Sequence, residues 1–168
     1  MINFYRALFN AAILGVAAMV VGCGGLDPAD VPPRAFLRGN VTFVGGAAAW
    51  PDSNVYDVRV VAFEERPLAV DSVLAFILAG KAVISESLPL RVESTGYSIQ
   101  INDPPRTFTY VVVAMQNGPQ LLTDWLMLSV YTPGGDPLQP GTVTIDVGET
   151  VNVDFRVDFN DLPPQPFE

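Results

Sequence analysis

The run Val151-Asn152-Val153-Asp154-Phe155-Arg156-Val157-Asp158-Phe159-Asn160 is apolar at every odd position and polar at every even one. A strand turns successive side chains to opposite faces, so this period of two predicts a strand with one buried side. Just upstream, Val143, Ile145 and Val147 alternate with Thr142, Thr144 and Asp146, and Gly148-Glu149 stands between the two runs. A tight-turn pair between alternating runs predicts a terminal β-hairpin.

Working outward, residues 37–44, 56–63, 96–101, 107–115 and 125–131 are short, rich in β-branched and aromatic residues, and bounded by Gly, Pro, Asn or Asp. Each reads as a strand. Val111-Val112-Val113-Ala114 is apolar on both faces, the pattern of a central strand. About seven such strands at close spacing predict an all-β fold, an antiparallel β-sandwich of two packed sheets over residues 36–162. One segment departs from this pattern. Val70, Val73, Leu74, Ile77 and Leu78 fall at helical spacing, with Asp71 placed to cap the start and Gly80 the end. A single helix packed on the sandwich is expected there, with a fully buried strand over 72–79 as the alternative.

Composition narrows the chemistry. The formal charge is -9, with 9 basic residues against 18 acidic ones and no histidine. An acidic chain has no field to release counterions from a phosphate backbone, so nucleic acid is excluded as an expected partner. Without histidine the commonest general base and metal ligand are missing. The one cysteine, Cys23, can form neither an internal disulfide nor a multi-thiolate zinc site. No cofactor is expected.

Residues 36–160 resemble, loosely, the transthyretin-like sandwiches that include carboxypeptidase regulatory domains. The stretches that match are Arg38-Gly39-Asn40-Val41, Val58-Arg59-Val60-Val61-Ala62-Phe63, Gly96-Tyr97-Ser98-Ile99, Tyr110-Val111-Val112-Val113-Ala114 and the closing run from Gly148 to Phe159. The resemblance implies a fold and an accessory, surface-displayed role, and brings no catalytic residues. This chain departs from it in the long 64–90 segment and in having Ser94-Thr95-Gly96 where the family has an Asp-Gly turn.

Residues 1–22 begin with one basic side chain, Arg6, and continue into an apolar stretch from Ala11 to Val21. This is the layout of a secretory signal, with an apolar centre shorter than the roughly 20 residues a spanning helix needs. Val20-Val21-Gly22-Cys23 closes it, and resembles the lipobox of bacterial lipoproteins. The resemblance implies cleavage before Cys23, a diacylglyceryl group on its thiol, and a mature chain held in the bacterial cell envelope. Two or more acyl chains anchor stably, at ~0.8 kcal/mol for each buried methylene. Gly24 stands where some inner-membrane lipoproteins carry Asp, which implies the outer membrane in a host with two membranes. Residues 23–35, rich in Gly and Pro, read as a flexible tether, and 163–168 as a Pro-rich tail.

The remaining candidates are few. Trp50, with Asp52 in the same loop, offers an aromatic face for a sugar, against the alternative that it covers the core edge. Trp125 with Asn117 and Asp124 offers a second such group. Asp146, Asp154 and Asp158 supply hard oxygens of the kind calcium takes, yet no loop of the DxDxDG type is present and Arg156 lies between two of them. Lys81 and Ser85 form the one Ser/Lys spacing available to a hydrolase. The expected function is therefore a non-catalytic structural or binding module on a lipid anchor. Alternatives are a carbohydrate-binding accessory domain at Trp50 and a protein that docks an envelope assembly through a strand edge.

Overall fold

The computed structural model describes residues 33–136 and 138–167. The signal segment, Val20, Val21, Gly22, Cys23 and nearly all of the tether lie outside the described residues. Within them are ten strands, β1 (Ala35–Phe43), β2 (Asp57–Phe63), β3 (Ala82–Ile84), β4 (Ser94–Ile101), β5 (Arg106–Phe108), β6 (Tyr110–Gln116), β7 (Trp125–Val130), β8 (Val143–Ile145), β9 (Thr150–Asn152) and β10 (Phe155–Val157). One α-helix, α1 (Val70–Leu78), and a 3-10 turn at Gly46–Ala49 complete the set. The fold is all-β with a single inserted helix.

One sheet has the order β10-β1-β4, with β9 also on β1; a second runs β3-β2-β6-β7; β5 and β8 make a third, two-stranded piece. Their inner faces meet in one core. Leu37, Val41 and Phe43 of β1 and Tyr97, Ile99 and Ile101 of β4 face Val58, Val60, Val111, Val113 and Leu128 from the second sheet. Burial of these apolar side chains, at about 25 cal/mol per Å² of apolar surface, is the main stabilising contribution. The apolar-on-both-faces reading of Val111-Val112-Val113-Ala114 holds, since β6 lies between β2 and β7.

The terminal hairpin is corrected. The turn forms, with Glu149 N–H donating to Asp146 O at 3.1 Å and Gly148 at φ 76°. Its two arms, however, diverge. β8 pairs antiparallel with β5, whereas β9 and β10 both run parallel to β1. Alternation fixes which face of a strand is buried and is silent on which strand it pairs with. The 151–160 run keeps its alternating burial but is interrupted between β9 and β10 by a kink against Gly39. A Cβ on residue 39 would collide with the Val153 carbonyl, so glycine is what permits the approach. Val153 N–H donates to Arg38 O at 2.8 Å, and Asn40 N–H donates to Asp154 Oδ1 at 2.8 Å, closing the kink on both sides. The 107–115 strand is likewise divided at Thr109, whose N–H donates to Phe63 O.

The segment forms the helix, over Val70–Leu78, and not the buried strand. Asp71 lies in its first turn, and the N-cap is Ala69 with no side-chain cap. At the other end Gly80, at φ 70°, donates to Ile77 O at 3.1 Å while Lys81 N–H reaches Phe76 O at 2.8 Å. This is the Schellman closure, in which a left-handed glycine satisfies the last carbonyls. Arg106 clamps the same end, donating to Gly80 O at 2.6 Å and to Glu64 Oε1 at 2.7 Å. Val73 and Phe76 of α1 pack on Phe63, Tyr110 and Val112, a second apolar cluster on the outer face of the β2-β6 sheet.

Candidate functional site

Because residues on both faces of the β3-β2-β6-β7 sheet are apolar, its outer face needs a cover. Helix α1 provides only part of one. What is left open is a groove of about 780 Å³. Its floor is the outward row of the sheet, from Val61 and Tyr110 across Val112 and Ala114 to Met127. One wall is α1 through Val70, Leu74 and Ile77; the other is the 117–124 loop through Leu121 and Leu122. Pro166 and Phe167 close one side. None of the α1 residues is fully buried, and Leu121 and Leu122 are 66% and 60% exposed. Large apolar side chains held at the rim of a concave apolar surface make this groove the candidate site.

The loop wall is rigidly built. Asp124 Oδ2 accepts from Gln120 N–H at 2.9 Å, Oδ1 accepts from Thr123 Oγ1 at 3.0 Å, and Asn117 N–H donates to Asp124 O at 2.9 Å. Trp125 Nε1 donates to Leu121 O at 2.6 Å, which fixes the indole at the foot of the loop. The trio Trp125, Asn117 and Asp124 is thus brought together at the groove, but both Asp124 oxygens serve the loop. At the far end Asp57 and Arg59 pair at 2.5 Å, and Arg59 Nη1 also donates to Ser85 O at 3.2 Å.

The other candidates are placed elsewhere. Trp50 takes the core-edge alternative: it is 4% exposed, with its ring 4.3 Å from Phe43 and 5.2 Å from Phe159, and Nε1 donating to Val92 O at 2.9 Å. It has no free face for a sugar, because an indole with aromatic neighbours and a buried acceptor is worth more inside than out. Asp52 stays on the surface, its carbonyl accepting from Arg91. The three carboxylates do not converge. Asp146 follows β8, Asp154 is spent on Asn40 N–H, and Asp158 Oδ1 accepts from Asn160 N–H at 3.0 Å. Among the described residues no group of three or more acidic, Cys or His side chains is arranged to hold a metal ion. Ser85 is buried, donating to Glu86 O at 2.7 Å and accepting from Val60 N–H, while Lys81 Nζ is 2.8 Å from Glu65 Oε1. That Ser/Lys pair is not assembled, and the Glu65 partner raises the Lys81 pKa, which favours its charged form.

The groove itself escaped the sequence reading. Its signal was the run of large apolar residues at 70–78 together with Leu121-Leu122, more apolar surface than a single helix face and a loop need.

No family model matches the chain, and no curated protein matches it. A search of solved structures finds a leucine-rich repeat protein from Bacteroides thetaiotaomicron, 13% identical, with a TM-score of 0.32. The match covers 83% of this chain and 15% of that one.

Proposed function

We propose that this chain is a lipid-anchored module of the bacterial cell envelope that works by binding through its apolar groove and performs no chemistry of its own. The observation that carries the binding half is the groove: an apolar sheet face left half covered, rimmed by exposed leucines and walled by a loop that is hydrogen-bonded into a fixed shape. Preformed, mostly apolar concavities with few polar groups are where proteins take ligands. The anchoring half is supported by Val20-Val21-Gly22-Cys23 at the end of a signal-like apolar run. A thioether-linked lipid would keep the domain at the membrane. The carbohydrate alternative loses the residue it was built on, since Trp50 belongs to the core.

Mass spectrometry of the mature amino terminus tests the anchor. The expected species begins at Cys23 and carries acyl mass, and Cys23→Ser yields an unacylated, uncleaved chain. A mature wild-type chain that is unacylated and begins elsewhere contradicts the reading.

A further inference from the structure

Strand β7 lies at the edge of its sheet, with β6 as its partner. An edge strand leaves backbone N–H and C=O groups facing outward, a template for a further strand. At Met127 both outward groups are met by one side chain. Its N–H donates to Gln165 Oε1 at 2.8 Å, and its carbonyl accepts from Gln165 Nε2 at 3.1 Å. The same Nε2 donates to Pro163 O at 3.0 Å, so the carboxamide is held by its own segment. A planar carboxamide offers a donor and an acceptor side by side, and here it copies the pair of bonds that an added strand makes with one residue. The flanking residues Pro163, Pro164 and Pro166 have no N–H to give to a ladder. Two residues beyond Gln165, Phe167 lies in the groove.

We propose that the β7 edge and the adjoining groove are a docking site for an extended peptide segment of a partner protein, which residues 163–167 occupy in cis. This rests on the groove being the working surface. The fitting segment sets a backbone N–H and C=O against Met127 and an apolar side chain into the groove. In strand addition the backbone supplies affinity, and alternate side chains supply selectivity. A segment without the prolines extends pairing along β7 from Met127 toward Trp125, the side on which the β6-β7 register is regular, and that gain is what displaces a tethered competitor present at millimolar effective concentration. With a net charge of -9 on the chain, basic flanks on the segment speed and favour docking.

The test uses the full chain, a synthetic octapeptide with the sequence of residues 161–168, and dodecanoate as a non-peptide apolar probe. Nuclear magnetic resonance follows the Met127 amide by hydrogen exchange and the Trp125 indole by its shift. In the wild type the Met127 amide is expected to exchange slowly. Gln165→Ala raises its exchange about tenfold or more, the octapeptide restores protection, and the variant binds the octapeptide about tenfold more tightly than wild type. Phe167→Ala, which keeps the carboxamide, raises affinity by a smaller factor. Equal binding to wild type and Gln165→Ala, or binding without protection of Met127, overturns the proposal. A Trp125 shift with dodecanoate while the octapeptide leaves Met127 unprotected overturns the peptide assignment alone. No Trp125 response to either probe overturns the groove reading as well.

Discussion

Tyr97 shows how much one buried hydroxyl carries. Its OH donates to Val153 O at 2.7 Å, at the kink where β9 gives way to β10. Tyr97→Phe leaves that carbonyl without this partner and is expected to cost about 1–3 kcal/mol in urea denaturation. The same burial has a pH consequence. Desolvation pushes the Tyr97 hydroxyl up strongly, with Asp154 adding to it, and pushes Tyr110 up against the opposing charge of Arg66. A folded pKa above the ordinary value of about 10 means that the unfolded chain gives up its phenolic proton first. Stability is therefore intact below about pH 10 and falls as pH rises through the folded values; Tyr97→Phe should make that alkaline fall shallower in thermal melts. The two tryptophans separate core from site. Trp50→Ala is expected to destabilise by about 3–5 kcal/mol, whereas Trp125→Ala should change stability far less and blunt the response of the groove to apolar probes.

At the level of elements, the helix is a piece that local sequence dictates and tertiary contacts then hold. Gly80→Ala keeps open space around the new methyl but forces an alanine into the left-handed region, so a loss of about 1 kcal/mol is expected. A loss much above that would mean that the Schellman closure and the Arg106 clamp fail together. Helix and central strand were legible because their signals are local: the 3.6 period at 70–78 with its terminal glycine, and the unbroken apolar run at 111–114. Pairing was not legible. Nothing within 143–160 says that one arm of a well-formed turn joins β5 and the other joins β1, because that choice depends on Gly39, more than a hundred residues upstream, yielding room to Val153. Strand β3, three residues long, carried too short a pattern to be seen.

For the molecule as a whole, the two faces of the β3-β2-β6-β7 sheet decide what the domain can do. One face closes the sandwich core; the other is apolar, half covered by α1, and edged by β7 and the docked 163–167 segment. Individual groove residues were visible in the sequence, but their convergence was not, since they come from α1, β2, β6, β7, the 117–124 loop and the tail. The choice between the two readings of Trp50 was not legible for a related reason: loop position is readable from sequence, whereas the aromatic neighbours that draw it inside arrive from β1 and residue 159. Whether this face binds is read by titrating the native chain with anilinonaphthalene sulfonate and comparing Ala114→Phe, which fills the groove floor from a solvent-side position. The prediction is saturable dye binding to the wild type, weakened about tenfold in Ala114→Phe with the melting temperature little changed. Absence of dye binding to the wild type, or equal binding to both well-folded chains, would contradict it.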